Sequence, residues 1–155
     1  MLGDGTGISV LAGELEIGFA VERRNLRATL KIPVGAWSLV LLVHGGGSGR
    51  FNPRNRYVAD ALGRAGIGTL LVDLMTVDED RMDRVLAHLR LDVELLAERI
   101  IGAVDWVHEN PSTRGMPLGA MATGPAAAGA LVAAARRPSL LSAVVTRGGR
   151  PDLAG

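Results

Sequence analysis

An α/β fold, a mostly parallel sheet flanked by helices, is the architecture this sequence predicts, on three observations. Short apolar runs alternate with stretches of helical periodicity along the chain. One run, Trp37–His44 (WSLVLLVH), is aliphatic at five of its eight positions, and a strand apolar on both faces belongs in the centre of a parallel sheet. A glycine loop, a helix and a second buried run follow it directly, which is the order of a right-handed βαβ unit.

Residues Gly7–Ile17 and Leu26–Ile32 read as two or three short strands, with a turn at Glu22–Asn25. Leu26-Arg27-Ala28-Thr29-Leu30-Lys31-Ile32 alternates as a half-exposed antiparallel strand does. After Trp37–His44 comes the loop Gly45-Gly46-Gly47-Ser48-Gly49, and then Asn52-Pro53, an N-cap with a first-turn proline. Tyr57, Val58, Ala61, Leu62 and Ala65 recur at helical spacing, and Gly66 is placed to end that helix. Gly68–Leu74 is the second buried strand. Asp78–Asp83 is expected to be a charged, solvated connection. A long helix begins near Asp92 and buries Val93, Leu96, Ile100, Val104 and Val107, with Glu94, Glu98 and Arg99 expected outside. Trp106, beside that stripe, reads as core. Asn110-Pro111 closes the helix. Pro117–Met121 is a short strand, Pro125–Arg136 an alanine-rich helix, and Leu141–Thr146 a last strand.

Composition limits the function classes. The net charge is +1, so nucleic acid and anionic membrane are not expected partners. The absence of cysteine excludes disulfide scaffolds, thiolate zinc sites and thiol nucleophiles. The start, MLGDGTGISV, shows no basic region followed by an apolar run, and no apolar stretch reaches membrane-spanning length, so a soluble cytoplasmic protein is expected. His88 and His108 have no ligand-type residues at fixed spacing around them, so neither a metal nor a cofactor is expected.

Three segments could carry chemistry. His44-Gly45-Gly46-Gly47-Ser48-Gly49-Arg50 follows a central strand, where ligands of open α/β sheets bind. Gly45, Gly46, Gly47 and Ser48 could turn backbone N–H groups toward an anion or a developing oxyanion, or simply form a connection. His44 is expected to hydrogen-bond structurally and orient this loop. Gly119-Ala120-Met121-Ala122-Thr123-Gly124 lies at a strand-to-helix junction, the place of a G-x-S-x-G nucleophile elbow. Ala122 then stands where the serine belongs, with Thr123 beside it. Thr146-Arg147-Gly148-Gly149-Arg150-Pro151-Asp152 follows the last strand, where Arg147 and Arg150 either clamp a carboxylate or are solvated. No histidine follows Asp152, so a Ser…Asp…His order is not completed.

The strings VLLVHGGGSGRFNPRNRYVADALGRAGIGTLLVDL, LDVELLAERIIGAVDWV and AVVTRGGRPDLAG together resemble the dienelactone-hydrolase-like α/β-hydrolases. The likeness is strongest to the subgroup found alone or joined to phosphoribosyltransferase domains. It implies hydrolysis of an ester, lactone or similar acyl bond by a serine (or cysteine), aspartate and histidine triad. It assigns Gly45–Ser48 to the oxyanion side, Arg50 and Asn52–Arg56 to the entry of the first helix, and Arg147–Arg150 to a loop beyond a late strand. Set against that pattern, residues 1–155 are expected to be a single, partial α/β-hydrolase domain. On that expectation the last strands and their triad acid and histidine would be missing, and Ala122 would stand in the nucleophile's place. The expected activity is weak or absent. The alternative is a non-catalytic module that holds a small acyl or carboxylate ligand with the glycine loop and the arginines. An unpaired sheet edge is expected to favour self-association or a partner chain.

Overall fold

The structure, a computed structural model, describes residues 9–11, 13–46 and 49–155. The antiparallel part of the sheet is β1 (Ser9–Leu11), β2 (Glu14–Val21) and β3 (Arg24–Lys31). The turn between β2 and β3 is tighter than the sequence suggests, because Val21 and Arg24 already pair and only Glu22 and Arg23 lie outside the strands. Residues 7, 8 and 12 of the expected first strand lie outside the described ones.

From β4 the chain winds through strands and helices: β4 (Ser38–His44), α1 (Pro53–Arg64), β5 (Ile67–Val72), α2 (Val77–Leu86), α3 (Val93–Glu109), β6 (Leu118–Thr123), α4 (Ala126–Arg136) and β7 (Ala143–Arg147). The seven strands form one sheet in the order β1-β2-β3-β5-β4-β6-β7. β4 pairs parallel with β5 and β6, and β6 parallel with β7, so the βαβ unit read from the sequence is present. β3 joins this half antiparallel to β5.

Each face of the sheet has its own cover. Leu39, Leu41, Val43, Leu70, Val72, Leu118, Ala120 and Ala122 face α3 and α4, packing with Leu96, Ile100, Val104 and Ala130. Small residues let the two helices approach: a Cβ on Gly129 of α4 would sit 2.9 Å from Leu96 Cβ and 3.1 Å from the Ala97 nitrogen. On the opposite face α1 packs Ala59 on Leu42 and Leu71, with Val58 and Met121 beside them. β7 is one edge of the sheet, paired only to β6, and its Val145 is 59% exposed.

Two expectations about charge are corrected. Asp78–Asp83 is not a solvated connection but lies within helix α2. Thr76 accepts from the Glu79 amide, and the Glu79 carboxylate accepts from the Thr76 amide at 2.9 Å, so the helix starts with a reciprocal capping box. Arg99 does not face outward. It is buried and donates to both Glu79 carboxylate oxygens at 2.7 Å and to the Leu74 carbonyl. A helix face can accept arginine when the guanidinium is met by a carboxylate and a carbonyl that fill its fork of donors. The pair ties α2 to α3. Burial pushes the Glu79 carboxyl up, but its bonds to Arg99 and to Thr76 outweigh this and hold it below the usual range.

Candidate functional site

Three parallel strands bring three side chains into one row. His44, Thr123 and Arg147 are the last residues of β4, β6 and β7, and the register pairs His44 with Thr123 and Thr123 with Arg147. Neighbouring strands lie about 4.8 Å apart, so the row spans roughly 10 Å. Alternation sets its face: Leu41 and Val43 point to α3 and α4, so His44 stands with Leu42 on the side of α1.

His44 is buried, and neither ring nitrogen has a hydrogen-bond partner among the described residues. It therefore does not act as the structural hydrogen-bonder expected of it. Its Nε2 lies 3.9 Å from Asp73 Oδ1, beyond hydrogen-bond range. Burial lowers its pKa below the ordinary histidine value against the opposing pull of Asp73 and Asp80, which favours the neutral ring.

Asp73, which the sequence did not single out, organises the glycine loop. It follows β5 and accepts from the Arg50 amide at 2.7 Å and from Arg50 Nε at 3.1 Å. Arg50 is buried, and its guanidinium also bonds Glu16 and the Thr29 hydroxyl. The loop is thus tied down at its far end to β2, β3 and β5. A cavity of about 320 Å³ opens beside His44 and Asp73, bordered by Gly46, Phe51, Thr76 and Asp80. Gly47 and Ser48 lie outside the described residues.

At the elbow, Ala122 is not at the turn. It is fully buried inside β6, pairs in register with Val43 and Thr146, and faces the α3–α4 core. The left-handed residue between β6 and α4 is Gly124, with φ of 59°. A nucleophile elbow needs its reactive side chain on such a sharp strand-to-helix turn; Ala122 lies in the strand before that turn, and the left-handed residue is Gly124. A Cβ at Gly124 would meet nothing within 4 Å.

The flanking glycines have a packing role. A Cβ on Gly45 would fall 2.7 Å from the Pro125 ring, and one on Gly149 would fall 2.0 Å from the Gly124 carbonyl oxygen. Gly45 and Gly149 therefore grip the elbow from two sides, and only glycine permits that approach. Arg147 and Arg150 do not converge. Arg150 is exposed and held by Asp152 at 2.6 Å, and the Asp152 side chain keeps its pKa raised. Arg147 instead borders an open groove of about 770 Å³ with Asn52, Arg54, Asn55, Thr123 and Gly148. Sequence reading missed Arg54, because a cation in the first turn of a helix carries no motif of its own. His108, away from this face, is taken by the Leu140 carbonyl at 2.9 Å. Among the described residues, no group of three or more potential ligand side chains could hold a metal.

A crystal structure of a dienelactone hydrolase from Anabaena variabilis matches this fold with a TM-score of 0.87 and 48% identity, over 91% of this chain and 65% of that one. In sequence and fold the chain is similar to dienelactone-hydrolase-like α/β-hydrolases. It spans a little under two thirds of that hydrolase. Two curated sequences from Mycobacterium tuberculosis, of strains CDC 1551 and H37Rv, are 44% identical over 126 residues, 81% of this chain. Their names propose a phosphoribosyl transferase, and the match spans 28% of their length. A dienelactone-hydrolase-like promiscuous phosphotriesterase from metagenomic libraries aligns with a TM-score of 0.69 at 17% identity, over 88% of this chain and 59% of its own, a likeness of fold alone. No family profile matches the chain. Among the described residues, no helix of this hydrolase relative is long and apolar enough to cross a membrane.

Proposed function

We propose that this hydrolase-family chain does not form an acyl-enzyme, and that its ester or lactone turnover is absent or very weak. The supporting observation is Gly124. The one left-handed turn between β6 and α4 carries no side chain, so it presents no nucleophile at the helix N-terminus. Thr123 is no substitute: it is the last residue of β6, and its backbone still belongs to the strand. Removing the nucleophile from a serine hydrolase costs about 2 × 10⁶ in rate in subtilisin, the worked case for this effect. What remains of the site is a scaffold for binding: a loop fixed by Arg50 and Asp73, a buried histidine, and a groove edged by arginine. We place the protein in the cytoplasm. The transferase named for the mycobacterial relatives is not carried over, because the match covers too little of them.

The test is turnover of an activated ester such as p-nitrophenyl acetate, measured against buffer and against the Gly124→Ser variant. Wild-type rates at the buffer background are expected. Saturable wild-type turnover that survives further purification would overturn the proposal.

A further inference from the structure

Helix α2 has its polarity reversed. Its buried residues are two acids, Glu79 and Asp83, while Met82 is 53%, Val85 84% and Leu86 64% exposed. Among the described residues it is the one α-helix that adds nothing, buried or half-buried, to either apolar cluster. Helices in folded proteins draw most of their stability from an apolar face packed on the core. Charge holds α2 instead. Glu79 meets Arg99 of α3 at 2.7 Å and Arg24 of β3 at 3.3 Å. Asp83 accepts from the Leu89 amide at 2.7 Å and from Arg90 Nε at 2.6 Å. These bonds fix the rotation of the helix, so Met82, Val85 and Leu86 cannot turn inward without stranding two buried carboxylates.

The charges around this apolar face say what can cover it. Residues three and four apart share a helix face, which groups Asp78, Met82, Val85 and Leu86, with Arg81 along one flank. The first turn of α2 is acidic, with Asp78, Glu79 and Asp80, and its last turn carries Arg84. Asp78 and Arg81 are both well exposed and meet each other only loosely, at 3.8 Å. A second copy of α2 running antiparallel sets unlike ends side by side and opposes the two helix dipoles. A two-fold axis beside Met82 keeps each flank on its own side, so each Arg81 can reach the other copy's Asp78. The face is thus complementary to itself in charge as well as apolar.

We propose that two copies of this chain join through α2. Met82, Val85 and Leu86 of the two antiparallel helices form the apolar centre, and Asp78 of each copy sits toward Arg81 and Arg84 of the other. Such a two-fold contact closes on itself and removes both apolar faces from water. One short helix from each copy makes a small interface, so the pair is transient and forms with rising concentration. The inference rests neither on the loss of turnover nor on the β7 edge: wild-type ester cleavage would sink the previous proposal and leave this one standing.

The absence of cysteine makes crosslinking of the full chain a clean test. Met82→Cys places one thiol per copy beside the axis, and Val34→Cys places one at a fully exposed position as the control. Under mild oxidation at tens of micromolar, Met82→Cys should form its disulfide dimer faster than Val34→Cys by about tenfold or more, because pairing raises the local thiol concentration. Adding Val85→Arg should abolish that advantage, since it brings like charges together at the contact. Val85 lies on the surface, so Tm should stay unchanged. Adding Asp78→Arg should also slow the crosslink, and adding Arg81→Asp to that variant should restore it. Val145→Arg, on the β7 edge, should leave the crosslink as it was. Equal rates for Met82→Cys and Val34→Cys would overturn the proposal and leave the face to a different partner. An advantage that survives Val85→Arg would overturn it too, and one lost in Val145→Arg would give the contact to β7.

Discussion

Replacing Gly149 by alanine drives a methyl group into the elbow. The added Cβ would lie 2.0 Å from the Gly124 carbonyl oxygen, 2.8 Å from its carbonyl carbon and 3.2 Å from Ala127 Cβ. Two of those neighbours are backbone atoms that cannot rotate aside. Overpacking of this kind costs about 1–3 kcal/mol, and a φ of 90° adds a left-handed penalty of about 1–2 kcal/mol for a residue with a Cβ. Gly148 supplies the control. Its φ is 65°, yet a Cβ there would meet nothing within 4 Å, so Gly148→Ala bears the conformational term alone. For a chain of this size about 1 kcal/mol moves Tm by roughly 2–4 °C. Gly148→Ala should therefore lower Tm by about 3–6 °C and Gly149→Ala by about 6–15 °C in a calorimetric scan. Loss of the close approach, rather than of backbone freedom, is then the larger effect. If the two variants melt within about 2 °C of each other, the gripping role given to Gly149 is wrong.

Three further outcomes follow from the same structure. Arg99→Leu leaves the Glu79 carboxylate buried without its main partner, and should cost about 3 kcal/mol or more in urea denaturation. The double variant Arg99→Leu/Glu79→Leu should recover most of that loss, since an apolar pair needs no compensation. His44 has a folded pKa below its unfolded value near 6.5. The unfolded chain therefore binds more protons in that window, and the stability held above pH 6.5 is lost as pH falls below it. His44→Gln should flatten this limb of the stability–pH curve, and an unchanged slope between pH 7 and 5 would refute the assignment. β7 presents an exposed strand edge, and light scattering at tens of micromolar is expected to give a mass above the 16.2 kDa of one chain. A clean monomer at that concentration would contradict it.

Strand and helix order could be read because each element has its own period. The continuous aliphatic run of β4, the alternation of β3 and the three-and-four spacing of α3 each allow one face only. Charge misled where pairing was remote in sequence. Glu79 and Arg99 are twenty residues apart, and nothing local shows that each removes the cost of burying the other. The Thr76–Glu79 capping box was a local signal for α2 that the acidic run obscured. The strand-to-helix junction is legible in the sequence, whereas the left-handed residue lies two positions after Ala122. Matching letters favoured Ala122-Thr123-Gly124, whereas the turn is made by the residue that alone adopts positive φ without strain, Gly124. Arg54 and Arg147 come together through the register of β6 with β7 and the position of α1, and such neighbours are set by tertiary structure.

The most direct test of the elbow assignment is intact-mass analysis after incubation with a fluorophosphonate probe. The reagent needs an activated hydroxyl, and Gly124 offers none. Wild-type protein is expected to keep its mass at probe concentrations that fully label a serine esterase run in parallel. A stoichiometric adduct on the wild-type chain, mapped to any residue on the β6–α4 turn, would contradict the account.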